Sequence, residues 1–272
     1  MPYEKNFRKG GKEMKKYFVV ADVHGFYDEM MTALDNAGYD INNPDHIFVS
    51  LGDAFDRGRQ AIEMLEFLTA IPKENRIFIV GNHELLMDEA IHRGGFLYHD
   101  ITNGTKGTAY QLINEYTDQD VCIGMINDAQ WNEYFRDCVF YAEVGDNIFV
   151  HGWIPCDIYP TYYRDRYIYN PGWRDAPIYE WKEATWRNGM EAWNHGVIEP
   201  EKTIWCGHWH TSWGHAHLHY EGVEFINPDY DYEAFGIKPV VHFEPFKDDG
   251  IVAMDACTAV SGFVNCEVIE IN

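Results

Sequence analysis

The chain has 272 residues, of which 16% are aromatic and 24% are charged, and its formal net charge is -23. This length is enough to bury a sizeable core, and no apolar run is long enough to span a bilayer. The acidity argues against a general nucleic-acid or anionic-membrane surface, because such surfaces neutralise phosphates with Lys and Arg.

The first 16 residues are polar and basic and contain Gly10-Gly11, which predicts a flexible N-terminal tail before a single domain at 17–272. This segment lacks the apolar stretch of a secretory signal. The six cysteines are scattered without any C-x-x-C spacing, which is typical of reduced, mostly buried thiols. Together these features predict a cytoplasmic protein.

Between residues 17 and 93, short β-branched runs alternate with segments whose apolar residues recur at helical spacing. We predict strands at 17–22, 47–51 and 76–80, and helices at 26–37, 59–70 and 84–92. Strands that alternate with helices are joined by crossovers, so this half should form a largely parallel sheet.

Polar side chains follow each of these strands at the point where the strand ends. The three sets are Asp22 and His24, Asp53 and Asp56, and Asn82 and His83. Ligands of open α/β sheets collect at the carboxyl edge of the strands, so we expect these side chains to lie close together.

The second half is less regular. We predict helices at 108–116 and 128–138, strands at 139–145, 148–151 and 203–206, and antiparallel strands after residue 250 that complete a second sheet. His151 ends one of these strands, and His208 and His210 follow another. The segment 153–196 reads as an aromatic-rich insertion that packs its rings onto a sheet edge. The alternative is that these rings form the wall of a substrate pocket.

Several of these polar residues have the chemistry of metal ligands. Residues two apart on an extended backbone point the same way, so Asp22 with His24, and His208 with His210, can each present two ligands. Asp53 can bridge two ions, because a carboxylate has two oxygens. Oxygen and nitrogen ligands without thiolate suit Mn first, with Fe, Zn or Ni as alternatives. With Asn82 and His151 there are seven groups, more than one ion can bind, which indicates two divalent ions about 3.5 to 4 Å apart.

These motifs resemble, in order, those of the calcineurin-like metallophosphoesterases. They are Asp22-x-His24-Gly25, Gly52-Asp53-x-x-Asp56-Arg57-Gly58, Gly81-Asn82-His83-Glu84, His151-Gly152 and Gly207-His208-x-His210. The Asp-Arg-Gly and Asn-His-Glu forms resemble the phosphoprotein phosphatase branch, which includes bacterial and bacteriophage Ser/Thr phosphatases and dinucleoside tetraphosphatases. The resemblance implies an α/β fold of four layers, in which two mixed sheets pack face to face and are flanked by helices.

The resemblance also implies a role for each motif residue. One ion would be held by Asp22, His24, Asp53 and His210, and the second by Asp53, Asn82, His151 and His208. A hydroxide that bridges the ions would attack phosphorus in line. His83 would protonate the leaving oxygen, and Asp56 would hold the imidazolium in place.

Phosphate binding is implied for Arg57, Asn82 and Arg187. The sequence departs from the family here, because Val80 precedes Gly-Asn-His where many protein phosphatases of this branch have arginine. Arg174 and Arg164 lie in the same aromatic segment as Arg187 and are alternatives to it.

The implied activity is hydrolysis of phosphomonoesters, with phosphoserine and phosphothreonine peptides as the leading substrates. One alternative is cleavage of diadenosine tetraphosphate or another nucleotide, with a base stacked on the aromatic segment. Another is a non-catalytic module that only binds metal. Against this last reading, His83, Asp56 and Arg57 are all present although metal binding does not need them.

His215, His217 and His219 alternate as on one face of a strand and are a candidate third metal site. No acidic or cysteine partner is evident in the sequence, so ordinary polar histidines are the alternative. Cys206 precedes a Gly-His motif, but we expect it to lie in the core.

Overall fold

The computed structural model describes residues 4–6, 14–113, 118, 122–124, 126, 131–160, 166–236 and 238–271. Arg164, Tyr162, Tyr163 and parts of the helices predicted at 108–116 and 128–138 lie outside these residues. Within the described ranges, no helix is long and apolar enough to cross a membrane.

The described strands form two large sheets and one hairpin. They are β1 (Glu4–Asn6), β2 (Lys15–Val20), β3 (His46–Ser50), β4 (Arg76–Ile79), β5 (Cys138–Val139), β6 (Tyr141–Val144), β7 (Asn147–Phe149), β8 (Asp157–Tyr159), β9 (Arg166–Ile168), β10 (Thr203–Cys206), β11 (Phe246–Asp248), β12 (Ile251–Ala253) and β13 (Cys266–Ile271). One sheet has the order β13-β2-β3-β4-β5, and the other has the order β1-β6-β7-β10-β12-β11. In the first sheet β2 to β5 are parallel, as the alternation of strands and helices predicted.

The two sheets pack face to face, because alternate residues of both contribute to one shared core. These residues include Tyr17, Val19, Ile47, Val49, Ile77 and Ile79 from the first sheet, and Ala142, Val144, Phe149, Trp205 and Val252 from the second. Phe18, Phe48 and Phe78 point the other way, into a core shared with helices. Burial on both faces explains why these strands read as continuous apolar runs. The predicted fold class is confirmed.

Helices pack around Phe18, Phe48 and Phe78 and supply the rest of the core on that face of the first sheet. They are α1 (Tyr27–Ala37), α2 (Ala61–Ala70), α3 (Asn82–Arg93), α4 (Tyr98–Asn103), α5 (Thr105–Ile113), α6 (Trp131–Asp137), α7 (Ile178–Ala184), α8 (Gly189–Asn194), α9 (Thr211–His217) and α10 (Thr258–Ser261). Met30 and Leu34 of α1 are fully buried there. α1 ends at Gly38, which has φ 81 and so takes the left-handed conformation that glycine adopts at low cost.

Two parts of the predicted N-terminal tail lie in strands. Glu4–Asn6 form β1, which pairs in parallel with β6, and β2 begins at Lys15. A polar segment can add to a sheet edge through backbone hydrogen bonds alone, and the pattern of side chains does not report this.

Two predicted strands join the sheets differently from our expectation. The run at 139–145 is divided between the sheets, since β5 pairs with β4 and β6 pairs with β7. β13 does not complete the second sheet and instead pairs antiparallel with β2. An apolar run identifies a strand but not its neighbours, so both errors concern pairing.

The histidine-rich segment 215–219 is not a strand, because α9 extends to His217. In a helix, residues two apart point in nearly opposite directions, whereas residues four apart share a face. The three histidines therefore do not line one surface.

The aromatic segment 153–196 is partly core. Trp153, Trp173 and Trp181 are almost fully buried, and Trp181 stacks on Tyr141 with the ring centroids 5.1 Å apart. Trp186 keeps 42% of its surface exposed, and the interpretation of this segment as the wall of a substrate pocket stays a prediction.

Candidate metal centre and substrate cleft

The predicted site residues lie where strands of both sheets end. Nine non-glycine residues of the described chain have positive φ, and the six from the predicted site are Asp22, His24, Asp53, Asp56, Arg57 and His208. Such conformations are costly and cluster where a fold holds functional side chains. The expectation of an extended backbone around Asp22 and His24 was therefore wrong, because tight left-handed turns present these side chains.

Asp53 lies at the centre of the cluster. Its Oδ2 is 3.3 Å from Nε2 of His151 and 3.8 Å from Nε2 of both His24 and His83. Its Oδ1 accepts a hydrogen bond of 3.0 Å from the backbone N–H of His83. Ligand atoms of Asp53, His151 and His208 also lie within 4.8 Å of one another.

Backbone carbonyls orient two of these imidazoles. Nδ1 of His24 lies 2.9 Å from the carbonyl oxygen of Phe55, and Nδ1 of His151 lies 2.8 Å from that of Leu51. A carbonyl oxygen only accepts, so each Nδ1 carries a proton and Nε2 is the nitrogen that each ring can offer to a metal ion.

Nε2 of His151 faces Oδ1 of Asn82 at 2.8 Å as well as the carboxylate of Asp53. Electron-pair donors that face one another in a buried site require a proton or a cation between them. This donor set of nitrogens and oxygens fits divalent metal ions.

The local electrostatics leave most of these groups in the protonation states that bind metal. Burial, followed by repulsion from His83, lowers the pKa of His24, and burial, followed by His151, lowers the pKa of His208 to about 3. Burial disfavours ionisation of Asp53, but the neighbouring His151 and His83 hold its pKa well below the usual range. Burial alone would lower the pKa of His151, whereas Asp53 raises it to about 10. A metal ion would therefore compete with a proton at His151.

Asp22 completes the cluster from β2. Both of its carboxylate oxygens accept from the backbone N–H of His208 at 2.9 Å, which joins the ends of the two sheets. Gly207 must be glycine here, since a Cβ would lie 2.1 Å from Oδ2 of Asp22. Burial, followed by the charge of Asp255, raises the pKa of Asp22 well above its usual value.

Asp255 was missed in the sequence, although it follows β12 as the other carboxylates follow their strands. Burial raises its pKa, and Arg57 and Asp53 lie close enough to affect it in opposite directions. Applying the same strand-end rule to the C-terminal region would have identified it.

Glu84 was also missed as a supporting residue. Its Oε2 accepts from the backbone N–H groups of Asp53 at 2.9 Å and Gly81 at 2.8 Å, and its Oε1 accepts from that of Ala54 at 2.9 Å. This fully buried carboxylate fixes the turn that carries Asp53. Gly81 allows the close approach, because a Cβ there would lie 2.0 Å from Oδ1 of Asp53.

His83 is paired with Asp56 through a contact of 2.7 Å between Nδ1 and Oδ2. Thr105 and Thr108 each donate a hydroxyl hydrogen bond of 2.7 Å to Asp56, which orients the carboxylate. The guanidinium of Arg57, an exposed residue, lies 3.5 Å from Nε2 of His83.

His210 does not join the cluster. Its Nδ1 lies 2.8 Å from the hydroxyl of Ser212, and its Nε2 lies 3.4 Å from Glu224. His208 has a left-handed φ of 66, and His210 lies immediately before α9. The role of His210 as a metal ligand stays a prediction.

A cleft of about 770 Å³ opens beside the cluster. Its lining includes Tyr167, Trp186, Arg187, Trp209, Trp213 and Tyr220. The ring of Trp186 lies 5.8 Å from that of His208, so the aromatic wall begins at the metal-ligand cluster. Arg187 is buried in this wall and donates to the carbonyl oxygen of Cys156 at 2.9 Å.

The family model described as calcineurin-like phosphoesterase matches residues 15–238, most of the chain. This chain belongs to the calcineurin-like phosphoesterase family. The match includes the motifs that end β2, β3, β4, β7 and β10.

Curated members of the family similar to this chain fall into two groups. The asymmetrical bis(5'-nucleosyl)-tetraphosphatase PrpE of Bacillus subtilis is 35% identical over 74 residues, which are 25% of this chain and 30% of PrpE. Serine/threonine-protein phosphatase 2 of Salmonella typhimurium is 30% identical over 106 residues, which are 35% of this chain and 46% of that protein. These alignments thus span less than half the length of either relative.

Two solved structures of phosphoesterases share the fold. A protein described as a diadenosine tetraphosphatase has a TM-score of 0.55 at 10% identity, and the match covers 99% of this chain and 97% of that one. The cold-active protein-tyrosine phosphatase of a psychrophilic Shewanella species has a TM-score of 0.53 at 16% identity, and the match covers 98% of this chain and 77% of that one. At these identities the likeness concerns the fold alone.

Proposed function

We propose that this chain hydrolyses phosphate esters with two divalent metal ions bound around Asp53. The observation that carries this proposal is the approach of the Nε2 atoms of His24 and His151 to one oxygen of the buried Asp53 carboxylate, at 3.8 and 3.3 Å. We assign Asp22, His24 and Asp53 to one ion, and Asp53, Asn82, His151 and His208 to the other. When bound, such ions lower the pKa of water and neutralise the negative charge of a phosphoryl group.

His83 and Arg57 are assigned to act on the substrate directly, and Asp56 positions His83. We assign His83 as the donor of a proton to the leaving oxygen, and its contact with Asp56, which orients the ring and favours the imidazolium, supports this role. Arg57 is exposed next to His83 and can hold non-bridging phosphate oxygens with its planar guanidinium. His83, Asp56 and Arg57 together favour a catalyst over a module that only binds metal.

Two further residues are proposed to bind phosphate. Asn82, already assigned to metal, would contact a phosphoryl group at the same ion. Arg187 lines the cleft and would contact a phosphate group bound there.

Phosphoserine and phosphothreonine peptides remain the leading substrate class from the motifs, and a protein phosphatase is among the similar proteins. The cleft favours a second candidate, a dinucleoside polyphosphate. Trp186, Trp209 and Trp213 offer ring faces beside the metal-ligand cluster, and stacking a base on an aromatic ring is worth about 1 to 3 kcal/mol.

A panel of three substrates tests both the phosphoesterase activity and the substrate class. We expect the metal-loaded protein to hydrolyse an aryl phosphate, and a phosphoserine peptide or diadenosine tetraphosphate at a higher kcat/KM. If the nucleotide is the substrate, Trp186→Ala should raise its KM roughly 5- to 150-fold by loss of stacking and leave the aryl phosphate unaffected.

Tyr179→Ala is the matched control, since Tyr179 is an exposed ring on α7 that is not among the residues lining the cleft. A phosphopeptide preferred over the nucleotide, with no effect of Trp186→Ala, would reject the second candidate. No turnover of any of the three substrates with Mn, Fe, Zn or Ni would reject the phosphoesterase itself.

A further inference from the structure

A second group of metal-type ligands lies at the far end of α9. Ligand atoms of His215, His219 and Glu221 are within 4.8 Å of one another, and Nδ1 of His215 is 3.8 Å from Oε2 of Glu221. His215 lies in the last turn of α9, and His219 follows two residues after the helix ends. None of these three residues belongs to the cluster around Asp53.

His215 has an unsatisfied ligand atom that faces this group. The residue is only 7% exposed, and its Nδ1 is buried without a hydrogen-bond partner. Its Nε2 lies 3.2 Å from the carbonyl oxygen of Glu244, which can only accept, so Nε2 carries the proton. The lone pair at Nδ1 is therefore free in a buried position, where an unpaired polar atom is costly.

His219 is also held at one ring nitrogen. Its Nε2 lies 3.2 Å from Oδ2 of Asp248, an arrangement in which a carboxylate fixes the ring and leaves the other nitrogen for a ligand. The rings of His215 and His219 both pack on Phe246, with centroids 5.6 and 4.4 Å from its own. Little side-chain freedom remains to be lost on binding.

The backbone brings the third ligand back toward the helix. The N–H of Glu221 donates to the carbonyl oxygen of His215 at 2.8 Å, and Tyr220 has a left-handed φ of 59. A tyrosine in this conformation is an uncommon, strained feature that accompanies functional geometry. The chain thus turns back after α9 and brings the carboxylate of Glu221 to His215, an acidic partner that the histidine pattern alone did not reveal.

We propose that His215, His219 and Glu221 bind a single zinc-type divalent ion, separate from the centre around Asp53. Two imidazoles and one carboxylate are a ligand set that zinc accepts, with a fourth position left for water. Tyr220 and Leu218, between these ligands, line the aromatic cleft, so the ion would also fix one wall of that cleft. The proposal does not depend on phosphoesterase activity.

The test counts zinc ions per chain in the whole protein, by equilibrium dialysis against zinc and elemental analysis. Glu221→Gln and His219→Asn should each bind one ion fewer than the wild type, and zinc should raise their Tm less than it raises that of the wild type. The side chain of Glu221 is 61% exposed, so in the absence of zinc the Glu221→Gln variant should have the same Tm as the wild type.

His217→Asn is the control on the same helix. His217 is bonded to Glu224 at 2.8 Å and lies outside the ligand group, so this variant should retain the full zinc content. Equal zinc binding by Glu221→Gln, His219→Asn and the wild type would overturn the proposal. Loss of the ion in His217→Asn alone would overturn it as well.

Discussion

Asp56 illustrates how single residues prepare the site. It accepts from Thr105 and Thr108 and lies 2.7 Å from Nδ1 of His83, so its position is determined by three contacts. Burial alone would lower the pKa of His83, but the charges of Asp53 and Asp56 and the bond to Asp56 raise it overall. The carboxylate of Asp56 therefore favours the imidazolium that we assign as proton donor.

We predict that Asp56→Asn moves the alkaline limb of kcat/KM to lower pH. A raised pKa keeps the donor protonated up to that pKa, and activity is lost as the pH rises through it. Removing a charge that raises the pKa should start this loss earlier. The measurement is a pH profile with an alkyl phosphate, with metal content determined at each pH. An alkaline limb at the same pH as in the wild type would contradict the role of Asp56.

At this scale the sequence predicted the residues of the motifs and missed those that support them. Glu84, Thr105, Thr108 and Asp255 act on motif residues through contacts formed only by folding. For Asp22 and His24, residue spacing alone did not give the backbone conformation, since both residues are left-handed.

Among the secondary structure elements, strands and helices with a strongly periodic apolar pattern were predictable. The neighbours with which some strands pair were not. The strands β2, β3 and β4 and the helices α1 and α2 follow the apolar pattern closely. The separation of β5 from β6, and the position of β13 beside β2, depend on competition between sheet edges. The alternating histidines matched the period of a strand. His215 and His217 instead lie in the helix α9, whose buried residues are Thr211, Ser212, Gly214 and His215.

One buried ion pair links two of these elements. Arg76 at the start of β4 is almost fully buried, pairs with Asp137 at the end of α6, and donates to the carbonyl oxygens of Leu68 and Ile71 at 3.0 and 2.7 Å. Burial would raise the pKa of Asp137, but its bonds to Arg76 and Lys73 lower it overall.

We predict that Asp137→Ala lowers the free energy of unfolding by about 3 kcal/mol, because it removes the carboxylate that pairs with a buried guanidinium. Since the folded pKa of Asp137 is depressed, the pair contributes fully above the unfolded pKa of about 3.9 and is lost as the pH falls through the folded value. Urea unfolding at pH 7 measures the effect. Glu133→Ala, at an exposed position of the same helix, should change the value by less than about 0.5 kcal/mol. Equal stability of the two variants would refute the role of the ion pair.

For the whole molecule, the site depends on the packing of one sheet on the other. Asp22, Asp53 and Asn82 come from the first sheet, and His151 and His208 come from the second, so the shared core sets the distances between them. Sequence patterns predicted each half, whereas their relative placement was implied only by the family resemblance. The net charge of -23 makes bound cations more important, because an anionic substrate must approach an acidic protein.

The central claim is that two metal ions are held around Asp53, and that His83 acts beside them as a proton donor. The most direct measurement determines metal ions per chain and turnover for Asp53→Asn and His83→Asn. Asp53→Asn should lose metal and activity together. His83→Asn should keep its metal while turnover falls roughly 10²- to 10⁴-fold, and by less for an aryl phosphate, whose leaving group needs less protonation. Loss of metal from His83→Asn in proportion to its loss of turnover would contradict the account.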